Sequence, residues 1–236
     1  MRILAFGDIH GCLAAFDALL NLVAPVSHDL LVTLGDHIDR GPDSCGVVER
    51  LLEQHARHRM VSLCGNHEQM ILEARQSPAV YDSWLMYGGA ATLKSYSRSG
   101  RAGHFDDIPE EHWDFFERDC LDWFETDRHF FVHAGAFPDL ALDEQPLYML
   151  RWEKFHAPHP HVSGKVMICG HTRQLNGLPR NVGHAVCIDT WVYGQGWLTC
   201  LDALSGHFWQ ANQRGETREG ELAALLEAAP SVEGYD

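Results

Sequence analysis

The chain repeats one pattern five times, in which a short apolar stretch ends at a polar side chain that can bind a metal ion. Apolar residues at helical spacing separate the first three of these stretches. Strands that alternate with helices predict an α/β domain, and ligands of such domains bind beyond the carboxyl ends of the strands. The stretches are residues 2–6, 30–34, 60–64, 130–132 and 166–169, and the polar residues after them are Asp8, Asp36, Asn66, His133 and His171.

After residue 164 the pattern changes to strands that follow one another without helices. Such strands predict an antiparallel sheet packed against the first sheet. The segments are residues 165–169, 184–190, 196–203 and 206–212. Near the end of the chain, residues 219–228 have the composition of a short helix.

We expect one domain over residues 1–236, with a helical cap over about residues 81–122 and a loose acidic tail over about 229–236. Trp84, Tyr87 and Tyr96 are expected to form the core of that cap. The chain has no apolar run long enough for a membrane span, and it opens on a strand instead of a secretory leader. These features predict a cytoplasmic protein without a membrane partner, and its oligomeric state stays open.

Charge restricts the class of ligand. The formal net charge of −15 argues against binding to a nucleic-acid polymer. A small anionic substrate is compatible with this charge only if the site itself concentrates positive charge. The seven cysteines form no CxxC pair and several lie in apolar runs, which predicts reduced, buried thiols.

The polar residues at the strand ends lie in short motifs that are weak evidence one at a time. Asp8 and His10 in GDIHG point to the same side of extended backbone, and Asp36 in GDHIDRG has two oxygens that can bridge two metal ions. An isolated aspartate of this kind is more often a surface residue, and an isolated histidine is more often a satisfied core group. Five such strand ends in succession favour a metal site.

GDIHG, GDHIDRG, GNHE, HAG and GHT, in this order, closely resemble the phosphoprotein phosphatase family, especially its compact bacterial and phage branch. The resemblance covers the chain from Arg2 to about Asp202. It implies the calcineurin-like metallophosphoesterase fold, in which two packed mixed β-sheets are flanked by helices. It also implies two divalent metal ions, with Mn²⁺ the expected metal and Fe, Zn, Ni or Co as alternatives. The implied ligands are Asp8, His10 and Asp36 for one ion, and Asp36, Asn66, His133 and His171 for the other.

The resemblance further implies that a hydroxide between the metals attacks phosphorus. His67 would protonate the leaving oxygen, Asp39 would hold its imidazole, and Arg40 and Asn66 would contact the phosphoryl group. His37, next to Asp36, is interpreted as incidental.

Two positions depart from the family pattern. The usual WxRE sequence is LRWEKF here, so Arg151 is the candidate for a second phosphate clamp and Lys154 is its competitor. Trp191 follows IDT, where the family commonly has glycine.

Three functions are compatible with these motifs. The first is a serine/threonine protein phosphatase that also accepts phosphotyrosine, acting on phosphorylated proteins or small phosphorylated compounds. The second is a symmetrical dinucleoside tetraphosphatase or another nucleotide phosphoanhydride hydrolase. The third is an inactive scaffold protein, against which the complete set of site residues argues.

Overall fold

The computed structural model describes residues 1–97 and 103–227, and in them two β-sheets pack face to face. The expected α/β class with two mixed sheets is confirmed. The strands of this part are β1 (Ile3–Phe6), β2 (Leu30–Thr33), β3 (Arg59–Leu63), β4 (Cys120–Leu121), β5 (Trp123–Glu125), β6 (His129–Val132), β7 (Val166–Cys169), β8 (Arg180–Asn181), β9 (Ala185–Cys187), β10 (Leu198–Asp202), β11 (His207–Ala211) and β12 (Thr217–Glu221). The helices are α1 (Leu13–Val23), α2 (Ser44–Arg57), α3 (Asn66–Ala74), α4 (Pro78–Trp84), α5 (Ala90–Tyr96), α6 (Glu110–Asp114) and α7 (Leu147–Trp152).

The first sheet has the order β12-β11-β10-β1-β2-β3-β4, and the second has the order β5-β6-β7-β9-β8. Strands β1 to β4 run parallel, as do β6, β7 and β9. The prediction that the strands after residue 164 form one antiparallel sheet is wrong. They divide between the two sheets, because β10 pairs antiparallel with β1 while β7 and β9 join β6.

Successive side chains along a strand point to opposite faces of the sheet and therefore pack in different layers. In β1, Ile3 and Ala5 lie in the apolar cluster between the two sheets, whereas Leu4 and Phe6 face the helices. Phe16 and Leu19 of α1 are buried against that second face. The outer face of the second sheet is covered by a third cluster that includes Leu150 and Phe155.

The predicted cap region is helical in α4, α5 and α6, and residues 98–102 within it lie outside the described residues. Trp84 and Tyr96 are buried there, as predicted, but Tyr87 is 58% exposed and does not belong to a core. The predicted terminal helix is wrong at its start, because residues 219–221 belong to β12 and only a short 3₁₀ turn, Leu222–Leu225, follows. The tail predicted over residues 229–236 lies outside the described residues.

The parallel strands of the two sheets end at one common edge. Loops after β1, β2 and β3 and loops after β6, β7 and β9 therefore meet there, and they carry the motifs of the sequence. None of the helices in residues 1–97 and 103–227 has the length and apolar character that crossing a bilayer requires.

Candidate active site

The loops at this edge adopt strained backbone. Non-glycine residues with positive φ are uncommon and concentrate at functional sites. Seven occur in the described part of the chain, and all except Ala24 lie in these loops: His10, Asp36, Asp39, Arg40, His171 and Trp191. Glycines permit the close packing, since a Cβ on Gly65 would lie 2.2 Å from Oδ1 of Asp36 and one on Gly170 would lie 2.0 Å from Oδ1 of Asp8.

Two groups of potential metal ligands share one residue, Asp36. The ligand atoms of His10, Asp36 and His67 lie within 4.8 Å of one another, and so do those of Asp36, His133 and His171. Oδ2 of Asp36 lies 3.5 Å from Nε2 of His10, and its Oδ1 lies 3.4 Å from Nε2 of His133. A carboxylate placed in this way can bridge two ions.

Backbone carbonyls orient the three histidines. Nδ1 of His10 donates to the carbonyl of Ile38 at 2.9 Å, and Nδ1 of His133 donates to that of Leu34 at 2.8 Å. Nε2 of His171 donates to the carbonyl of Trp152 at 3.0 Å. Since a carbonyl can only accept, the other ring nitrogen of each histidine carries the lone pair toward the site, as metal-ligating histidines require.

Asn66 and Asp8 complete the predicted ligand set. Oδ1 of Asn66 lies 2.9 Å from Nδ1 of His171 and 3.1 Å from Nε2 of His133, so it joins the second group. Asp8 is buried beside the two groups, where it accepts a hydrogen bond from the backbone amide of His171 at 3.0 Å. The structure thus brings all six predicted ligands to one place.

The charges of the site fit bound cations. Burial raises the pKa of Asp8, and it raises the pKa of Asp189, which follows β9, to about 6. Burial also lowers the pKa of His10 and His133, and it lowers that of His171 to about 3, which keeps these imidazoles neutral. Buried carboxyl groups near one another and neutral imidazoles are the donor set that divalent metals take, and an ion would relieve the repulsion between the carboxylates.

His67 lies within the first of the two ligand groups by distance, but a carboxylate orients its ring where backbone carbonyls orient the other three histidines. Its Nδ1 lies 2.6 Å from Oδ2 of Asp39, and its Nε2 is buried with no hydrogen-bond partner among the described residues. Trp84 donates to the same Asp39 oxygen at 2.8 Å, and Thr92 donates to the other at 2.6 Å. Burial alone lowers the pKa of His67, but Asp36 and Asp39 outweigh it, so the pKa lies above its ordinary value.

A pocket of about 280 Å³ opens beside these groups. Nη1 of Arg40 donates to Nε2 of His10 at 2.7 Å, and its guanidinium lies 4.6 Å from the ring centre of Tyr193. The guanidinium therefore places positive charge beside the ligand groups. The pocket is lined by Asp36, Arg40, Lys154, His171, Thr172, Arg173 and Tyr193.

Arg151 is not among the described residues that line this pocket. Its Nε donates to Asp122 at 3.1 Å, and its Nη1 lies 3.4 Å from Oε1 of Gln69. The competitor Lys154 lines the pocket instead, and it also borders a neighbouring cavity of about 440 Å³ whose wall includes Phe137. The contacts therefore favour Lys154 over Arg151 as the second cation beside the site.

Sequence reasoning missed Glu68, the last residue of GNHE. Its Oε2 accepts hydrogen bonds from the backbone amides of Asp36 at 2.7 Å and Gly65 at 2.9 Å, and its Oε1 accepts one from His37 at 2.9 Å. His37 is fully buried and its Nε2 lies 2.8 Å from Oγ1 of Thr33, so it packs within the fold. Glu68 directly follows Asn66 and His67, and this position in the sequence could have indicated that it belongs to the site.

Trp191 occupies a left-handed conformation with φ of 64°, which explains why glycine suits this position. Its indole packs on Gly194, where a Cβ would lie 2.2 Å from the ring. The tryptophan thus packs beside the site within its own loop.

The comparisons with known proteins agree with this geometry. A family model of calcineurin-like phosphoesterases matches residues 1–175. Serine/threonine-protein phosphatase 1 of Salmonella typhimurium is 46% identical over 87 residues, which are 35% of this chain and 37% of that protein. The symmetrical bis(5'-nucleosyl)-tetraphosphatase of Nitrosospira multiformis is 29% identical over 170 residues, which are 66% of this chain and 54% of that protein.

The match therefore spans between 37% and 54% of the length of these two curated relatives. The crystal structure of a cold-active protein-tyrosine phosphatase of a psychrophilic Shewanella species has the same fold, with a TM-score of 0.59 at 16% identity over 92% of this chain and 80% of that one. The resemblance predicted from the motifs is confirmed, and the chain belongs to the calcineurin-like phosphoesterase family.

Proposed function

We propose that the protein is a metal-dependent phosphomonoester hydrolase that acts on phosphoserine and phosphothreonine, with phosphotyrosine as a further substrate. The position of the Asp36 carboxylate carries this proposal, because one oxygen faces His10 and the other faces His133. When bound, two divalent ions would supply a water whose pKa is lowered from ~15.7 to about 7 and would offset the charge of the phosphoryl group. The residues that would hold them are Asp8, His10, Asp36, Asn66, His133 and His171.

His67 is assigned the role of general acid. Asp39 holds Nδ1, so the protonated ring presents its Nε2 proton to the site, where the leaving oxygen needs it. Trp84 and Thr92 fix the Asp39 carboxylate in turn, which keeps the imidazole in one orientation. General acids of this kind contribute ~10²- to 10⁴-fold to the rate.

Arg40 is assigned to the phosphoryl oxygens. Its Nη1 donates to Nε2 of His10, the lone pair that a metal ion would take. With that lone pair taken, Nη1 of Arg40 would be free to donate into the pocket that Arg40 lines, and a guanidinium matches phosphoryl oxygens in shape and charge. Lys154 is the second cation that we place at the phosphoryl group, since it lines the same pocket.

A second candidate function is hydrolysis of symmetrical dinucleoside tetraphosphates. The similarity to the Nitrosospira multiformis tetraphosphatase over 66% of the chain favours it. Both candidate substrates present a phosphoryl group to the ligand residues, so the predicted metal ligands do not separate the two functions. A direct comparison of kcat/KM for a phosphothreonine peptide, a phosphotyrosine peptide and diadenosine tetraphosphate separates the two candidates.

Metal dependence tests the proposed function itself. Protein treated with a chelator and then given Mn²⁺ should hydrolyse an aryl phosphate, and Asp36→Asn should abolish turnover because it removes the shared carboxylate. Asp82→Asn, at an exposed residue, serves as the control and should keep the activity. The proposal fails if none of Mn²⁺, Fe²⁺, Co²⁺, Ni²⁺ and Zn²⁺ restores turnover.

A further inference from the structure

The pocket beside the ligand groups is rich in cationic side chains. Three of its seven lining residues are cations, in a chain with 18 lysines and arginines among 236 residues. Arg40 and Lys154 are already assigned to the phosphoryl group. Arg173, two residues after His171, has no role in the proposed mechanism.

Tyr193 holds two arginines at different parts of one side chain. The guanidinium of Arg40 lies over the ring face, 4.6 Å from its centre, and Nη1 of Arg173 donates to the phenol oxygen at 3.1 Å. The face of the ring and its hydroxyl group thus keep the two guanidiniums apart. Tyr193 also contacts His10 edge to face, with ring centres 4.8 Å apart, so this pair of arginines is fixed relative to the ligand groups.

The loop that carries Tyr193 is ordered by its own hydrogen bonds. The amides of Gly194 and Gly196 both donate to the carbonyl of Trp191 at 3.1 Å, and the amide of Trp197 donates to Thr190 at 2.9 Å. The loop therefore presents the phenol in a defined place, and Arg173 lies beside the pocket with donors left for an anion. A guanidinium has five N–H donors, and the phenol takes one of them.

We propose that Arg173, held by Tyr193, forms a second anion subsite that binds a further phosphoryl group linked to the one that reacts. The inference rests on the proposed function, because it extends the same pocket. The subsite would be a specificity determinant that lets the pocket accept linked phosphates, as in the second candidate function, in addition to simple monoesters. Arg40 and Lys154 would hold the reacting phosphoryl group, and Arg173 would hold its neighbour.

The test measures binding of two probes that the protein cannot hydrolyse, methylphosphonate and methylenediphosphonate. Both are titrated calorimetrically into Mn²⁺-loaded protein at a fixed free Mn²⁺ concentration. In Arg173→Gln the preference for the diphosphonate should fall by ~10-fold or more, the size expected for loss of charge-assisted hydrogen bonds. Tyr193→Phe keeps the ring under Arg40 and should lower the preference by a smaller factor.

Arg214→Gln is the matched control, since it removes an exposed arginine whose side chain pairs with Glu216. It should leave the preference for the diphosphonate unchanged. The subsite is refuted if Arg173→Gln weakens both probes equally, which would indicate general attraction, or if it weakens neither. Failure of the wild type to hydrolyse aryl phosphates would refute the proposed function and leave this binding measurement to decide the subsite on its own.

Discussion

Oδ2 of Asp39 lies 2.6 Å from Nδ1 of His67, and both side chains are fully buried. The indole of Trp84 donates to the same oxygen, so the carboxylate has little freedom to leave the imidazole. The pair links the loop after β2 to the start of α3 and points the second ring nitrogen of His67 into the site.

Replacing His67 by Asn should lower kcat by ~10²- to 10⁴-fold, because the leaving oxygen loses its proton donor. The loss should grow as the leaving group becomes a poorer one, which a series of aryl phosphates with different phenol pKa values measures. Asp39→Asn should cause a smaller loss in the same direction. Equal rates for His67→Asn and the wild type, at equal metal content, would remove His67 as the acid.

Replacing Glu68 by Gln should destabilise the protein by about 2–4 kcal/mol and weaken Mn²⁺ binding. Its two oxygens accept three backbone N–H groups, and a glutamine amide would turn a donor toward at least one of them. Urea unfolding and a Mn²⁺ titration measure the two effects. Glu73→Gln changes an exposed residue of the same helix and should alter neither quantity.

His67 and Glu68 are neighbours in the chain, but the sequence predicted a place in the site only for His67. Asp36 and His67 were predicted because each follows a strand and a glycine, and such local patterns determine which edge of a sheet a side chain reaches. The bonds of Glu68 to the amide of Asp36 join residues 32 positions apart, and no local pattern encodes them.

Contacts between distant parts of the chain account for other features that local patterns do not encode. β10 lies beside β1, almost at the other end of the chain, so the strands after residue 164 gave no sign that they divide between two sheets. The surroundings of Arg151 in α7 also depend on a distant residue, because Asp122, which lies between β4 and β5, accepts a hydrogen bond from its guanidinium. Tyr87 is exposed although Trp84 and Tyr96 around it are buried, since aromatic composition alone does not specify a helix face.

Replacing Asp29 by Asn should destabilise the protein by about 2–4 kcal/mol at pH 7, because the buried carboxylate accepts several charged hydrogen bonds from Arg2, with Nη2 at 2.6 Å. Burial alone raises the pKa of Asp29, but the hydrogen bonds from Arg2 outweigh it and hold the pKa below its ordinary value. A carboxyl group with a depressed pKa stabilises the fold above its unfolded pKa of ~3.9, and this contribution is lost as the pH falls further.

Urea unfolding at pH 7 and at pH 3 measures this dependence. The difference between Asp29→Asn and the wild type should be smaller at pH 3. Asp114→Asn removes an exposed ion pair with Arg118 and should have no measurable effect at either pH. A difference at pH 3 as large as that at pH 7 would contradict the assigned role of the Asp29 charge.

Replacing Ala24 by Gly should stabilise the protein by about 0.5–1 kcal/mol. Ala24 ends α1 in the left-handed conformation, with φ of 43°, and its exposed methyl group packs against little. Ala18→Gly, within the same helix, should destabilise by about the same amount. Thermal unfolding of both variants checks the opposite signs, and equal signs would contradict the argument.

The candidate metal ligands at the common edge come from both sheets. Asp36 comes from a loop of the first sheet, whereas His133 and His171 come from loops of the second. An ion held by all three would therefore cross-link the two layers. Apolar contacts hold the layers together elsewhere and do not depend on metal. Slower amide hydrogen exchange in β6 and β7 on addition of Mn²⁺ would show that the metal ion stabilises the packing of the two sheets.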